Sequence, residues 1–173
     1  MPSQPTLRPF DVAVALRLLL VPRERYVPLA GALATSTSAV HRSVARLQHA
    51  RLCQPSTREV NCHAFREFLV YGVRYAFPPI HGPERAGIAT AASHPALAVL
   101  LADQSLPPLV WPADNGSERG ESLVPLFAGA PKVASGEAPL YELLACVDVL
   151  RVGNEAQVDR VIAHVEQLTN LAA

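Results

Sequence analysis

Apolar residues recur at helical spacing from Phe10 to Leu20, where Val12, Leu16, Leu19 and Leu20 share one face. Asp11 stands near the start, where a carboxylate favours the helix dipole. Pro22 ends the run, because it lacks an N–H and crowds the preceding turn. Residues 1–9 precede it as a short arm with three prolines. A second, short helix is predicted over Val27–Ala34, with Pro28 in its first turn and Leu29 and Leu33 on its inner face. The hydroxyl run Thr35-Ser36-Thr37-Ser38 interrupts the pattern. Ser36 or Ser38 then caps a third helix, which reaches about Ala50 with the stripe Val40, Val44, Leu47. Leu52-Cys53-Gln54 and Arg58-Glu59-Val60 read as two short strands about the turn Pro55-Ser56-Thr57, a hairpin that needs packing support at this length. A helix from His63 to Ala76 follows, apolar at Phe65, Phe68, Leu69 and Val73, until Phe77-Pro78-Pro79 stops it.

The pattern loosens beyond this point. Residues 79–95 carry glycine, proline and histidine without a period and read as an irregular segment. Leu97–Leu101 reads as a short helix. Leu109-Val110-Trp111 and Ser122-Leu123-Val124 read as a strand pair flanking the turn Asp114-Asn115-Gly116. Two helices close the chain, Leu140–Arg151 and Glu155–Leu171, parted by the helix stop Gly153-Asn154. The expected fold class is α+β, mainly helical.

Half of the 173 residues are hydrophobic, which suffices for a packed core and argues against global disorder. No run of about 18 apolar residues predicts a membrane span, and the N-terminus has no secretory pattern, so the expected compartment is cytoplasmic. Three cysteines, Cys53, Cys62 and Cys146, fit reduced thiols better than a disulfide framework. The zero net charge hides an asymmetry. Residues 1–78 hold ten arginines against one aspartate and three glutamates, +6; residues 79–173 hold five basic residues against eleven acids, −6. Such a split suggests that the first half faces a polyanion. Fourteen of the fifteen basic residues are arginine, whose fork pairs with phosphate oxygens.

Two helices joined by a short polar turn, the second amphipathic, describe a helix-turn-helix. Leu29, Leu33, Val40, Val44 and Leu47 would bury the pair, leaving the far face of the third helix to fill a major groove. That face holds Ser38, Arg42, Ala45, Arg46 and His49 and no acid. Arg42 and Arg46 are expected to grip guanine or phosphate. Ser36, Thr37 and Ser38 offer hydroxyl and backbone donors at the helix start, His41 and Arg51 lie at the edges, and Arg58 sits near the hairpin tip.

On the string PLAGALATSTSAVHRSVARLQHARL and the hairpin CQPSTREVN after it, residues 10–77 resemble the winged helix-turn-helix of bacterial transcriptional regulators, most of all the MarR-like group. The resemblance implies a winged helix over residues 1–78, and a smaller acidic domain over 79–173 that regulates, dimerises or binds a partner. It further implies a sequence-specific regulator, a repressor, that binds double-stranded DNA as a homodimer. Two departures stand out. Arg51 occupies a position where that family often has glycine, and a positive φ is costlier for arginine, so the turn is expected to be built differently. Residues 79–130 do not look like the flanking dimerisation helices of that group.

The alternative reading is an antitoxin-like protein, whose acidic half binds a partner protein while the winged helix autoregulates the operon. A small-molecule effector pocket around Trp111, Phe127 and Tyr141 is a third. Cys53, Cys62 and His63 flank the hairpin but lack a ligand set in register, so no metal and no cofactor are expected. No nucleophile–base spacing, phosphate loop or dinucleotide fingerprint occurs, and no catalytic residue is expected.

Overall fold

The computed structural model describes residues 5–101, 107–169 and 171. The expected arm falls partly outside them, at residues 1–4, as does residue 170; the last helix, expected to reach Leu171, ends at Leu168. Helix α1 (Pro9–Leu20) opens on a proline, whose missing N–H is no loss in a first turn. It is buried almost all round, because it packs on α3 on one side and α8 on the other. Helices α2 (Tyr26–Ala32) and α3 (Thr37–His49) follow. Of the two candidate caps it is Ser36 whose hydroxyl accepts from the Ala39 amide, at 3.3 Å. Val40, Val44 and Leu47 are buried as the spacing predicts, and Ser43 is buried with them.

Arg51 corrects the expectation for the turn after α3. It takes the left-handed conformation, φ 60°, so the turn that glycine would make is made by arginine. The Leu52 amide closes it on the Leu47 carbonyl at 2.9 Å. An L side chain in this region costs roughly 1–2 kcal/mol. Arg51→Gly is therefore expected to raise stability by about 0.5–1 kcal/mol, read as a later urea midpoint. An unchanged or earlier midpoint would contradict the strain.

The hairpin is shorter than predicted, a single bridge of Cys53 to Val60. The Gln54 amide to the Glu59 carbonyl and the Asn61 amide to the Leu52 carbonyl, both 2.8 Å, hold it closed. The next helix is predicted with the right length and the wrong regularity. It runs as α4 (Cys62–Glu67), a π turn (Phe68–Gly72) and α5 (Val73–Ala76), burying Phe65, Leu69 and Val73.

The second half departs further from the sequence reading. Strand β1 (His81–Ala89) occupies the segment read as irregular. It pairs antiparallel with β2 (Leu109–Pro112) and with β3 (Glu118–Leu123), while β2 and β3 pair parallel, so three strands close on themselves where a strand pair was expected. Glycine is the reason the strands come this close. A Cβ at Gly87 would stand 2.2 Å from the Trp111 carbonyl oxygen, and one at Gly120 equally close to that of Pro108. The register slips between Gly82 and Glu84, at Pro83, which has no N–H to offer the ladder. A 3₁₀ turn (Ala91–Ser93), α6 (Pro95–Leu101) and α7 (Ala130–Gly136) complete this half with α8 (Ala138–Val152) and α9 (Glu155–Leu168). The fold is mainly helical with a small three-stranded sheet, of the α+β class. No helix among the described residues is long and apolar enough to cross a membrane.

One apolar core runs from Val12 to Leu171 through both halves, with α8 at its centre. Asp148 and Arg151 lie inside it. Asp148 accepts from Thr90 Oγ1, Trp111 Nε1 and Arg151 Nη1, each at 2.7 Å. Arg151 spends its other donors on the carbonyls of Phe77 (2.9 Å) and Pro78 (3.2 Å). Burial pushes the Asp148 carboxyl up, against the pull of Arg151 and the two neutral donors. Ion pairs also tie the halves: Arg17 binds Glu24 and Glu137, both at 2.7 Å, and Arg66 binds Glu166.

His94 is buried edge-on against Tyr141, with its Nδ1 accepting from the Ala96 amide at 3.3 Å. Burial pushes its pKa down; Glu142 pulls it up and His164 pushes it down by less. The folded chain refuses a proton that an unfolded histidine accepts below about pH 6.5. The stability contributed by neutral His94 is complete above that pH and is lost as pH falls below it. A lower urea midpoint at pH 5.5 than at 7.5 is expected, and His94→Gln should shrink the difference. Equal differences in the two proteins would show that other groups carry it.

Candidate nucleic-acid interface

The outer face of α3 exposes Ser38, His41, Arg42, Ala45 and His49, with Ser36 exposed at the cap and Thr37 half-buried. It carries no carboxylate. Among the described residues the side chains of Arg25, Arg42 and Arg51 meet no partner, hydrogen-bonded or ionic. They stand free around the start of α2, the middle of α3 and the turn behind it.

Arg46 is a correction. Expected on the outward face, it turns inward to Asp11, with Nε at 2.8 Å from Oδ2 and Nη2 at 2.6 Å from Oδ1. Asp11, buried in the first turn of α1, also accepts from Ser43 Oγ at 2.7 Å and the Arg8 amide at 2.8 Å. This bidentate pair clamps α3 to α1 and sets the angle at which α3 presents its outer face. The hydrogen bonds to Asp11 push the Arg46 pKa up, so its charge is fixed, and it is spent internally.

Arg58 and His41 meet through a residue the sequence reading passed over. The Tyr26 ring stacks on His41, centroids 3.5 Å apart and planes 23° from parallel, and the Arg58 guanidinium lies 4.4 Å from the Tyr26 centroid. A cation over an aromatic face contributes about 0.5–1 kcal/mol at an exposed site. Arg58 also donates to the Arg23 carbonyl at 3.3 Å, and Arg23 pairs with Glu59 at 2.8 Å. The hairpin is thereby tied to α2 and α3. A signal for this existed in the charged run Arg23-Glu24-Arg25 that leads into Tyr26, the first residue of α2. Arg23, Arg51 and Arg58 all have φ between 60° and 62°. Ala34 and Ala91 take the same left-handed region, at φ 48° and 50°.

Trp111 and the cysteines lie away from this face. Trp111 is 1% exposed and its indole N–H is held by Asp148, so it is a core anchor and not the wall of an effector pocket. Cys53 is buried and its thiol pushed up to about 12 by burial, while Cys62 donates to the Val60 carbonyl. Among the described residues no group of three or more histidine, cysteine or acidic side chains is placed to hold a metal.

No protein-family model matches the chain, and comparison with curated proteins and with solved structures likewise finds no match. The geometry alone bears on function. An exposed amphipathic helix offers guanidinium, imidazole and hydroxyl groups on one side, at a fixed angle, beside a tethered hairpin that offers another guanidinium. Such a surface suits hydrogen bonding to phosphates and base edges.

Proposed function

We propose that the protein is a sequence-specific DNA-binding regulator, a repressor acting as a homodimer. In this reading α2, its turn and α3 form a helix-turn-helix, and the 53–60 hairpin is its wing. The carrying observation is how the arginines of residues 1–78 sort themselves. Arg17, Arg46, Arg66 and Arg74 are engaged within the fold, on Glu24 and Glu137, Asp11, Glu166 and the Gly153 carbonyl. Arg25, Arg42 and Arg51 remain free, and Arg58 is held only by an aromatic ring and a carbonyl. The arginines left without a carboxylate partner thus include Arg42 on the acid-free face of α3 and Arg51 in the turn behind it.

Arg42 and His49 enter the major groove, the hydroxyls of Ser36, Thr37 and Ser38 meet the phosphate backbone, and Arg58 reaches the adjacent groove or phosphates. A single helix reads only a few base pairs, so two copies on half-sites about 34 Å apart supply the specificity. Tyr71 and Tyr75, exposed one turn apart, give a second copy an apolar face to cover.

Selection from a pool of random duplexes tests this reading. Enrichment of a pseudo-palindromic site is expected, with affinity falling steeply as salt rises. Recovery of an unbiased pool at every salt concentration would refute it.

A further inference from the structure

Beneath the hairpin lies a cavity of about 290 Å³, open on one side. Leu18 and Leu19 from the end of α1 and Pro22 just beyond it line it together with Gln54, Glu59, Val60 and Cys62. Its size is near the lower end for small-molecule sites, and its lining mixes apolar side chains with the polar groups of Gln54 and Glu59. Glu59 is the one charged group on the lining. The Arg23 guanidinium holds that carboxyl below its ordinary range, so it is ionised at neutral pH. Arg23 Nε and Nη2 both reach Oε1 at 2.8 Å, and the Thr57 hydroxyl also acts on the carboxylate, which has about four lone-pair sites to share among donors.

We infer that this cavity is an effector site for a small amine with an apolar body, which seats its hydrocarbon on Leu18, Leu19 and Val60 and its ammonium on Glu59. The two sides of the cavity belong to different elements. Leu18 and Leu19 lie at the end of α1 and Pro22 just beyond it, while Glu59 and Val60 belong to the hairpin beside Arg58. An occupant wedges the hairpin away from α1 and competes with Arg23 for Glu59. Arg58 then leaves its seat over Tyr26 and the Arg23 carbonyl. The site is separate from the DNA-facing side of α3; only its regulatory consequence rests on the DNA-binding reading.

The probe is 4-phenylbutylamine, with 4-phenylbutanol and 4-phenylbutyrate as neutral and anionic comparators. It is titrated into the full chain, while the methyl resonances of Leu18, Leu19 and Val60 are followed. Saturable shifts at these methyls are expected, strongest with the amine, weaker with the alcohol and absent with the acid. Glu59→Gln should weaken the amine about threefold, to the level of the alcohol, as an exposed ion pair predicts. No saturable shift with the amine, shifts confined to other methyls, or equal binding of amine and acid would overturn the site. In parallel, the amine should lower DNA affinity about fivefold in the parent protein and less in Glu59→Gln. Methyl shifts with unchanged DNA affinity would overturn the regulatory link and leave the site standing. A chain that binds no DNA under any condition would refute the proposed function, and the methyl shifts would still decide the cavity.

Discussion

Asp148→Ala is expected to destabilise the protein by about 3–5 kcal/mol, the usual cost of removing one partner from a buried ion pair. Asp148 is fully buried, and its removal strands three donors at once: the Arg151 guanidinium, the Trp111 indole and the Thr90 hydroxyl. Total stabilities of about 5–15 kcal/mol are normal, so this one change consumes a large share. Replacing both charges does not restore the loss, because Arg151 also satisfies the carbonyls of Phe77 and Pro78, where the first half hands over to the second. Asp148→Ala/Arg151→Met should therefore remain well below the parent protein. Trp111 is the only tryptophan, so its fluorescence reads the node directly as urea is added. A loss under about 1 kcal/mol with an unchanged emission maximum would mean that the network is ornamental.

The second large effect is expected from Asp11→Asn, at about 3 kcal/mol, because Arg46 and Ser43 lose the charge they share. The sign of its effect on DNA binding is more informative. Removing a negative charge from a DNA-binding half should strengthen binding if only net charge mattered. Here Asp11 sets the pose of α3, so affinity is expected to fall at temperatures where the variant is still folded. Stronger binding by a folded Asp11→Asn protein would show that Arg46 is better used outward than on Asp11.

Legibility followed periodicity. The three N-terminal helices were readable because their apolar residues recur at three and four, and their ends are marked by Ser36 and Pro22. Strand β1 was not, because Gly82, Pro83 and Gly87 erase the alternation that marks a half-buried strand, and glycine is there to admit a neighbouring backbone. Helix α7, with proline, serine and glycine in seven residues, offers no stripe to read. At the candidate interface the chemistry of α3 was legible but the commitment of each side chain was not. Arg42 and Arg46 are one turn apart, and a rotation of a few tens of degrees decides which meets solvent. The partner that settles it, Asp11, lies 35 residues away in sequence. The pair Asp148 and Arg151 reads locally as an ordinary surface ion pair at i, i+3. Only the burial of α8 on every side turns it into an internal node.

The central claim, that the outer face of α3 reads DNA, is tested most directly by comparing two arginine deletions of equal charge. Arg42 and Arg85 are both exposed and both without a partner among the described residues, the first on α3 and the second on β1. Binding to a selected duplex is followed by fluorescence anisotropy over a salt series, with urea midpoints as a check on folding. Arg42→Ala is expected to weaken binding by about 1–3 kcal/mol, or to reduce the salt slope by about one if it grips phosphate. Its midpoint should not move, and Arg85→Ala should bind like the parent protein. Equal, small losses in both variants would contradict the account, leaving only a diffuse response to net charge.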